Sequence, residues 1–157
     1  MKIFDLIVIG SGAGLNVAAG AAEQGLKVAM VEESAMGGTC LNRGCIPSKM
    51  IITSAEMAEN IHRASEFGLS AKVNKINFKQ VTERANNTVD ADSRSIEKNI
   101  CAGNNPVLFK GNGKFVDRYV VEVNGERIKG KKIVIAAGAR TSIPVISGLD
   151  KVPYMTS

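Results

Sequence analysis

The chain begins with an apolar run, FDLIVIG at residues 4–10, closed by a glycine. Nearly unbroken apolar character over so few positions predicts a central parallel strand buried on both faces. Residues 14–24, GLNVAAGAAEQ, carry alanines and other small side chains that let a helix approach a sheet closely, and Gly25 stands where that helix should stop. LKVAMVEE, residues 26–33, reads as a second strand and completes a βαβ unit with a right-handed crossover. Farther on, Met50, Met57, Ile61 and Ala64 recur at helical spacing across residues 50–67, ended by Gly68. Asn77 and Gln80 resemble a capping box, and Phe78, Val81, Ala85 and Val89 mark one stripe of a long polar helix that reaches Ala102 and closes at Gly103. From Pro106 the period shortens. Residues 107–138 alternate short β-rich runs with Gly-Asn-Gly, Asp-Arg, Asn-Gly and Gly-Lys turns, which predicts an antiparallel meander leading into a strand at 132–137. The pattern defines an α/β fold: a parallel sheet, flanking helices and a small antiparallel meander.

Composition narrows the function classes. The 157 residues, 45% apolar and 22% charged, suit one globular domain with its own core. A net charge of +5 raises nucleic acid as a partner, but the basic residues are scattered, and the densest group, Lys129, Lys131 and Lys132 around Gly130, reads as a solvated turn. Two Tyr, five Phe and no Trp make a poor stacking platform, which weighs against nucleic acid. The apolar run at residues 6–9 is far too short for a membrane span or a signal-peptide core, so a cytoplasmic protein without a membrane partner is expected.

Two motifs carry chemistry. GSGAG, residues 10–14, follows the first strand and opens the first helix, where bare backbone lets a pyrophosphate reach amide groups that the helix start leaves unpaired. Glu32 ends the next strand and is placed to accept hydrogen bonds from an adenosine ribose. Leu15 occupies the third glycine position of the usual G-x-G-x-x-G, and Gly14, one residue earlier, partly compensates. The second motif, GGTCLNRGCIPSK at residues 37–49, holds Cys40 and Cys45. As a structural staple the pair closes a short ring worth roughly 2 kcal/mol. As half a zinc site it lacks partners, since Cys101 and His62 lie far along the chain on helical patterns, so no metal is expected. As a redox device it fits well: Pro47 suits the first turn of a helix, which puts Cys45 at or just before a helix N-terminus, where the dipole stabilises a thiolate and Lys49 adds positive charge. His62 reads as an ordinary, partly exposed side chain and Cys101 as a small buried hydrophobe.

GGTCLNRGCIPSK closely resembles the redox-active segment of the flavoprotein pyridine nucleotide–disulfide oxidoreductases. DLIVIGSGAG, the VEE acids, the long helix, GNGKF and IVIAAGARTSIPVISGLD are similar to the family in the same order, over the whole chain. Leu41, Asn42, Ile46 and Ser48 favour its dihydrolipoamide-oxidising branch, whereas Arg43 stands where a small apolar residue is usual. The resemblance implies a Rossmann-like FAD-binding domain, of which residues 1–157 form the N-terminal part. It implies FAD contacts at Gly10, Gly12, Ala13, Gly14, Glu32, Glu33, Gly38, Thr39 and Lys49, and backbone contacts at Gly113, Ala137, Gly138 and Ala139. Cys45 would be the thiol beside the flavin and Cys40 the interchange thiol that meets the substrate, a lipoyl group or small disulfide. The family's NAD(P) and interface domains, and the homodimer whose interface supplies a catalytic base, lie outside these residues. The chain alone is therefore expected to be inactive and to hold FAD weakly. Two alternatives stand beside this reading: an NADPH-dependent disulfide or metal-ion reductase of the same superfamily, and a non-enzymatic flavin-binding redox sensor.

Overall fold

A computed structural model describes residues 1–156. Strand β1 (Lys2–Ile9), helix α1 (Ala13–Glu23) and strand β2 (Val28–Glu32) form the expected βαβ unit, with β1 and β2 parallel from Leu6↔Val28 to Ile9↔Val31. Side chains alternate across β2: Val28 and Met30 face one cluster with Leu6 and Val8, while Ala29 and Val31 face the other with Ile7. On the first face lie Ala18 and Ala21 of α1, whose small size permits close approach.

Helices α2 (Gly38–Arg43), α3 (Cys45–His62) and α4 (Phe78–Ala102) follow, with a 3-10 turn at Ala64–Phe67 ended by the left-handed Gly68. The helix expected at 50–67 therefore starts earlier and stops at His62. The α4 start is as the sequence implies: the Asn77 side chain accepts the Gln80 N–H at 3.2 Å. Asn77→Ala is expected to lower stability by about 1 kcal/mol, read as a shift in the urea midpoint, because it orphans that donor. The α4 stripe is buried at Ala85, Val89 and Ser93, and Ile96 and Ile100 pack on the α1 face of the sheet. Phe78, placed on the stripe by spacing alone, is exposed, because α4 begins beyond the edge of the core. Cys101 is also exposed, not a buried hydrophobe: it lies in the last turn, past the buried stretch of α4.

The meander region departs from expectation in two ways. Strand β3 (Val107–Lys110) leaves the meander and pairs parallel with β2, from Ala29↔Val107 to Glu32↔Lys110. Only β4 (Gly113–Asp117), β5 (Val120–Val123) and β6 (Glu126–Ile135) are antiparallel neighbours, and the sheet order is β3-β2-β1-β6-β5-β4. Residues 129–132 are not a turn but the middle of β6, which runs antiparallel to β5 at one end and parallel to β1 along its length. Gly130 is there for close approach, since a Cβ would lie 2.8 Å from the Lys132 carbonyl oxygen and 2.9 Å from Ile7. Lys131 reaches back to Asp5 at 2.7 Å. Val121, Val123 and Ile128 of the meander close over the second face of the parallel sheet, packing with Phe4, Ile7, Val31 and Phe109. Among the described residues, no helix is long and apolar enough to cross a membrane.

Candidate functional site

Three parallel strands, β1, β2 and β6, end side by side at Ile9, Glu32 and Ile135, and a cleft of about 1120 Å³ opens beyond their carboxyl ends. Ligands in open α/β sheets bind in such crevices, because the helix that follows a strand starts there and turns its unpaired N–H groups outward. The start of α1 is kept bare: its N-cap is Gly12, with no side-chain cap bond and no acidic residue in the first turn. Leu15 N–H turns back to the Gly12 carbonyl at 3.2 Å, and the donors ahead of it in such a first turn suit an anion. Gly10 takes φ +98° and brings the β1 end against β6, where a Cβ would run into the Ala136 carbonyl oxygen. Gly12 and Gly38 meet backbone to backbone, since a Cβ on Gly38 would sit 2.5 Å from the Gly12 Cα. The floor of the cleft is a cradle that side chains would fill, and it fits a pyrophosphate.

The expected contact residues divide. Gly10, Gly12, Ala13, Glu32, Glu33, Gly38, Thr39, Cys40, Gly113, Ala137, Gly138 and Ala139 line the cleft. Gly14, Cys45 and Lys49 do not. Gly14 is buried between helix and sheet, where a Cβ would be 2.8 Å from Val8 and 3.2 Å from Ala136. It permits the close packing normally assigned to the third glycine, leaving Leu15 to join the apolar cluster on that face.

Glu32 is fastened into the glycine turn. Its Oε2 accepts the Ser11 N–H at 2.8 Å and the Ser11 hydroxyl at 2.6 Å, and its Oε1 accepts the Ser34 N–H at 2.8 Å. Ser11 Oγ in turn accepts the Gly37 N–H at 3.0 Å. Ser11, buried and unremarked by motif reasoning, thus joins the glycine turn, the end of β2 and the approach to α2. Its signal was a hydroxyl between two glycines, too common to single out. Burial pushes the Glu32 carboxyl up, but the bonds from Ser11 and Ser34, helped by Lys110, outweigh it and hold the carboxyl below its ordinary value. A depressed folded-state value contributes stability that is present above the unfolded value, about 4.3, and is lost as pH falls through the folded one. Glu32→Gln should therefore cost about 1–2 kcal/mol near neutrality and flatten the acid limb of a melting-temperature profile below about pH 4.3. An unchanged acid limb would refute the assignment.

The thiol pair owes its geometry to a glycine. In an unbroken helix, residues five apart point about 140° away from each other. Gly44, at φ −135° and ψ −109°, separates α2 from α3 and turns the chain between Cys40 and Cys45. Its carbonyl accepts the Ser48 hydroxyl at 2.7 Å, and a Cβ there would press on the Thr39 carbonyl at 3.1 Å. Cys45 becomes the first residue of α3, as Pro47 implied. Asn42 Nδ2 braces α2 by donating to the Met36 and Gly38 carbonyls, both at 2.9 Å, and Ser93 of α4 donates to Met36 as well. Both active-segment cysteines are exposed free thiols. The Cys40 thiol is pushed up, first by its hydrogen bond with Cys45 and then by desolvation and the charge of that partner; the Cys45 backbone and Lys49 oppose the shift only in part. Among the described residues no group of three or more His, Cys, Asp or Glu could hold a metal ion, and His62 is exposed at the end of α3.

A glycine-turn cleft on a parallel α/β sheet, with Cys40 at one wall and Cys45 heading the next helix, defines a dinucleotide-binding fold equipped with a dithiol. Comparison with known proteins gives that class its family. The family described as pyridine nucleotide-disulphide oxidoreductase matches residues 4–157, and the chain belongs to it. It is 37% identical over 158 residues to a mercuric reductase of Lysinibacillus sphaericus, an alignment covering 98% of this chain and 28% of that protein. It is 39% identical over 142 residues to a dihydrolipoyl dehydrogenase of Chlamydia muridarum, covering 88% of this chain and 30% of that one. Among solved structures it resembles the Cu(II) complex of the HOCl-induced flavoprotein disulfide reductase RclA from Escherichia coli, with a TM-score of 0.76, 30% identity, and coverage of 94% of this chain and 31% of that one. The chain thus spans less than a third of the length of these relatives.

Proposed function

We propose that residues 1–157 are the N-terminal part of the FAD-binding domain of a disulfide oxidoreductase working in the dihydrolipoamide dehydrogenase direction. The observation that carries the reading is Cys40 at the wall of a cleft whose floor suits a pyrophosphate, with Cys45 at the start of the helix that follows Gly44. The Gly10–Gly12 turn and the start of α1 would hold the pyrophosphate, and Glu32, with lone pairs to spare, the adenosine ribose. FAD, when bound, supplies the two-electron acceptor that passes a hydride to NAD+.

The chain's own part is thiol exchange. A dihydrolipoyl thiolate attacks the Cys40 sulfur of the oxidised pair, forming a mixed disulfide and releasing Cys45 as thiolate. The second substrate thiolate closes the lipoyl ring and expels Cys40, which takes up a proton. Two substrate thiols are oxidised, the Cys40–Cys45 disulfide is reduced, and the second proton goes to a base or solvent. The raised Cys40 thiol supports this division, because a thiol that holds its proton is the one that takes up a proton when the lipoyl ring closes. A homodimer is part of the proposal. A second reading, reduction of a small disulfide or a mercuric ion by NADPH in the opposite direction, is favoured by the mercuric reductase relative. Anaerobic titration of the FAD-loaded chain with dihydrolipoamide tests the first reading. Growth of a long-wavelength thiolate-to-flavin band, which requires a reduced dithiol beside a flavin that is still oxidised, supports it, and a spectrum of bound FAD that dihydrolipoamide leaves unchanged sinks it.

A further inference from the structure

Residues 137–156 leave the end of β6 with no regular structure beyond a 3-10 turn at Leu149–Lys151. Arg140 and Thr156 nevertheless both line the cleft, so the stretch departs from its wall and returns to it. Its backbone bonds are local, such as Leu149 to Ile146 and Lys151 to Gly148. Among the described residues a single hydrogen bond ties it to the body of the protein: Arg140 Nη2 donates to Glu33 Oε1 at 3.2 Å. The other carboxylate oxygen of Glu33 accepts Asn112 Nδ2 at 2.6 Å. Asn112 is a firm anchor. Its neighbour Gly111 donates to the Glu32 carbonyl at 2.8 Å, and Gly113 lies so close to β2 that a Cβ would be 2.9 Å from Val31.

The two adjacent acids therefore do different work. Glu32 gathers the glycine turn, while Glu33 joins the β3–β4 turn to the free-running stretch after β6. We propose that Glu33 latches Arg140 at the rim of the cleft, and that Arg140, so held, grips the adenosine half of the dinucleotide and adds to the preference for FAD over FMN that the glycine turn and Glu32 provide. This rests on reading the cleft as an FAD site, with adenosine at the Glu32 end and the pyrophosphate at Gly12. Glu33 then acts as a positioning residue instead of a ribose ligand. One guanidinium N–H is committed to Glu33, and the remaining donors and the planar face are free for a purine, which hydrogen-bonds and stacks with arginine. An exposed ion pair adds little to folding, so the effect of the latch is on placement.

The test uses the 157-residue chain, with flavin fluorescence for FAD and FMN and calorimetry for ADP and inorganic pyrophosphate. Arg140→Ala should weaken FAD and ADP by about tenfold and leave FMN and pyrophosphate unchanged. Glu33→Gln should weaken the same two ligands by about threefold, with an unchanged melting midpoint in both variants. Equal losses for ADP and pyrophosphate would place the grip on phosphate and overturn the proposal. So would variants that bind FAD as the parent does, although the FAD site itself would then stand. A parent chain that binds neither FAD nor ADP would instead overturn the FAD reading on which the proposal rests.

Discussion

Cys45→Ser is expected to abolish flavin reduction by dihydrolipoamide in the FAD-loaded chain, a loss of roughly a thousandfold or more, because a serine hydroxyl ionises far less readily than a thiol and cannot form a disulfide. The same change should remove the long-wavelength thiolate-to-flavin band. Cys40→Ser is the informative partner. It should equally stop exchange with substrate while showing the band against oxidised flavin without any reductant, since the flavin-side sulfur is intact and cannot be tied up in a disulfide. The comparison decides between two assignments, because the resemblance gives the flavin side to Cys45 whereas Cys40 is the sulfur that lines the cleft. A band that survives in Cys45→Ser and vanishes in Cys40→Ser would exchange the two roles. Loss of the band in both variants would mean that neither sulfur alone reaches the flavin.

The second large effect is expected at Gly10. Gly10→Ala should cost about 3 kcal/mol or more and eliminate FAD binding, because two penalties coincide there. The residue holds φ +98°, which L side chains rarely adopt, and its Cβ would collide with the Ala136 backbone carbonyl. Relief would require separating the ends of β1 and β6, which meet where Ala136 donates to the Ile9 carbonyl at 2.7 Å. For a chain of this size the melting midpoint should fall by roughly 6–12 °C. Gly25→Ala is the control: it holds φ +81° but has nothing within 4 Å of the new Cβ, so only backbone strain, about 1 kcal/mol, should be measured. Similar losses at the two sites would show that crowding against Ala136 contributes nothing.

Much of this protein is written locally. Strand β1, helix α1 and strand β2 follow from apolar runs and glycine stops, because burial on two faces and helix termination each need only a few consecutive residues. The start of α4 follows from Asn77, a side chain that bonds three residues along its own chain. Cys45 at a helix start follows from Pro47, and the bare glycine turn after β1 from GSGAG, since both depend on backbone geometry within a single turn.

What the sequence determined by itself is therefore most of the elements, though not helix α2 or the full length of β6, their order, and the two motifs with the chemistry they favour. Tertiary structure decided which strands are neighbours and what each polar side chain meets. Val107 to Lys110 read as a strand of the antiparallel meander, because nothing in the run itself shows that β2 supplies its partner edge. Lys129 to Lys132 resembled a turn because nothing in the run itself reveals that Gly130 must admit Ile7. Glu32 and Glu33 are adjacent and alike in sequence, yet one closes on Ser11 and the other on Asn112 and Arg140, from 21 to 107 positions away. Periodicity records how a segment meets an average core or solvent. A partner brought from that distance depends on the packing of the whole sheet, which no window of neighbouring residues contains.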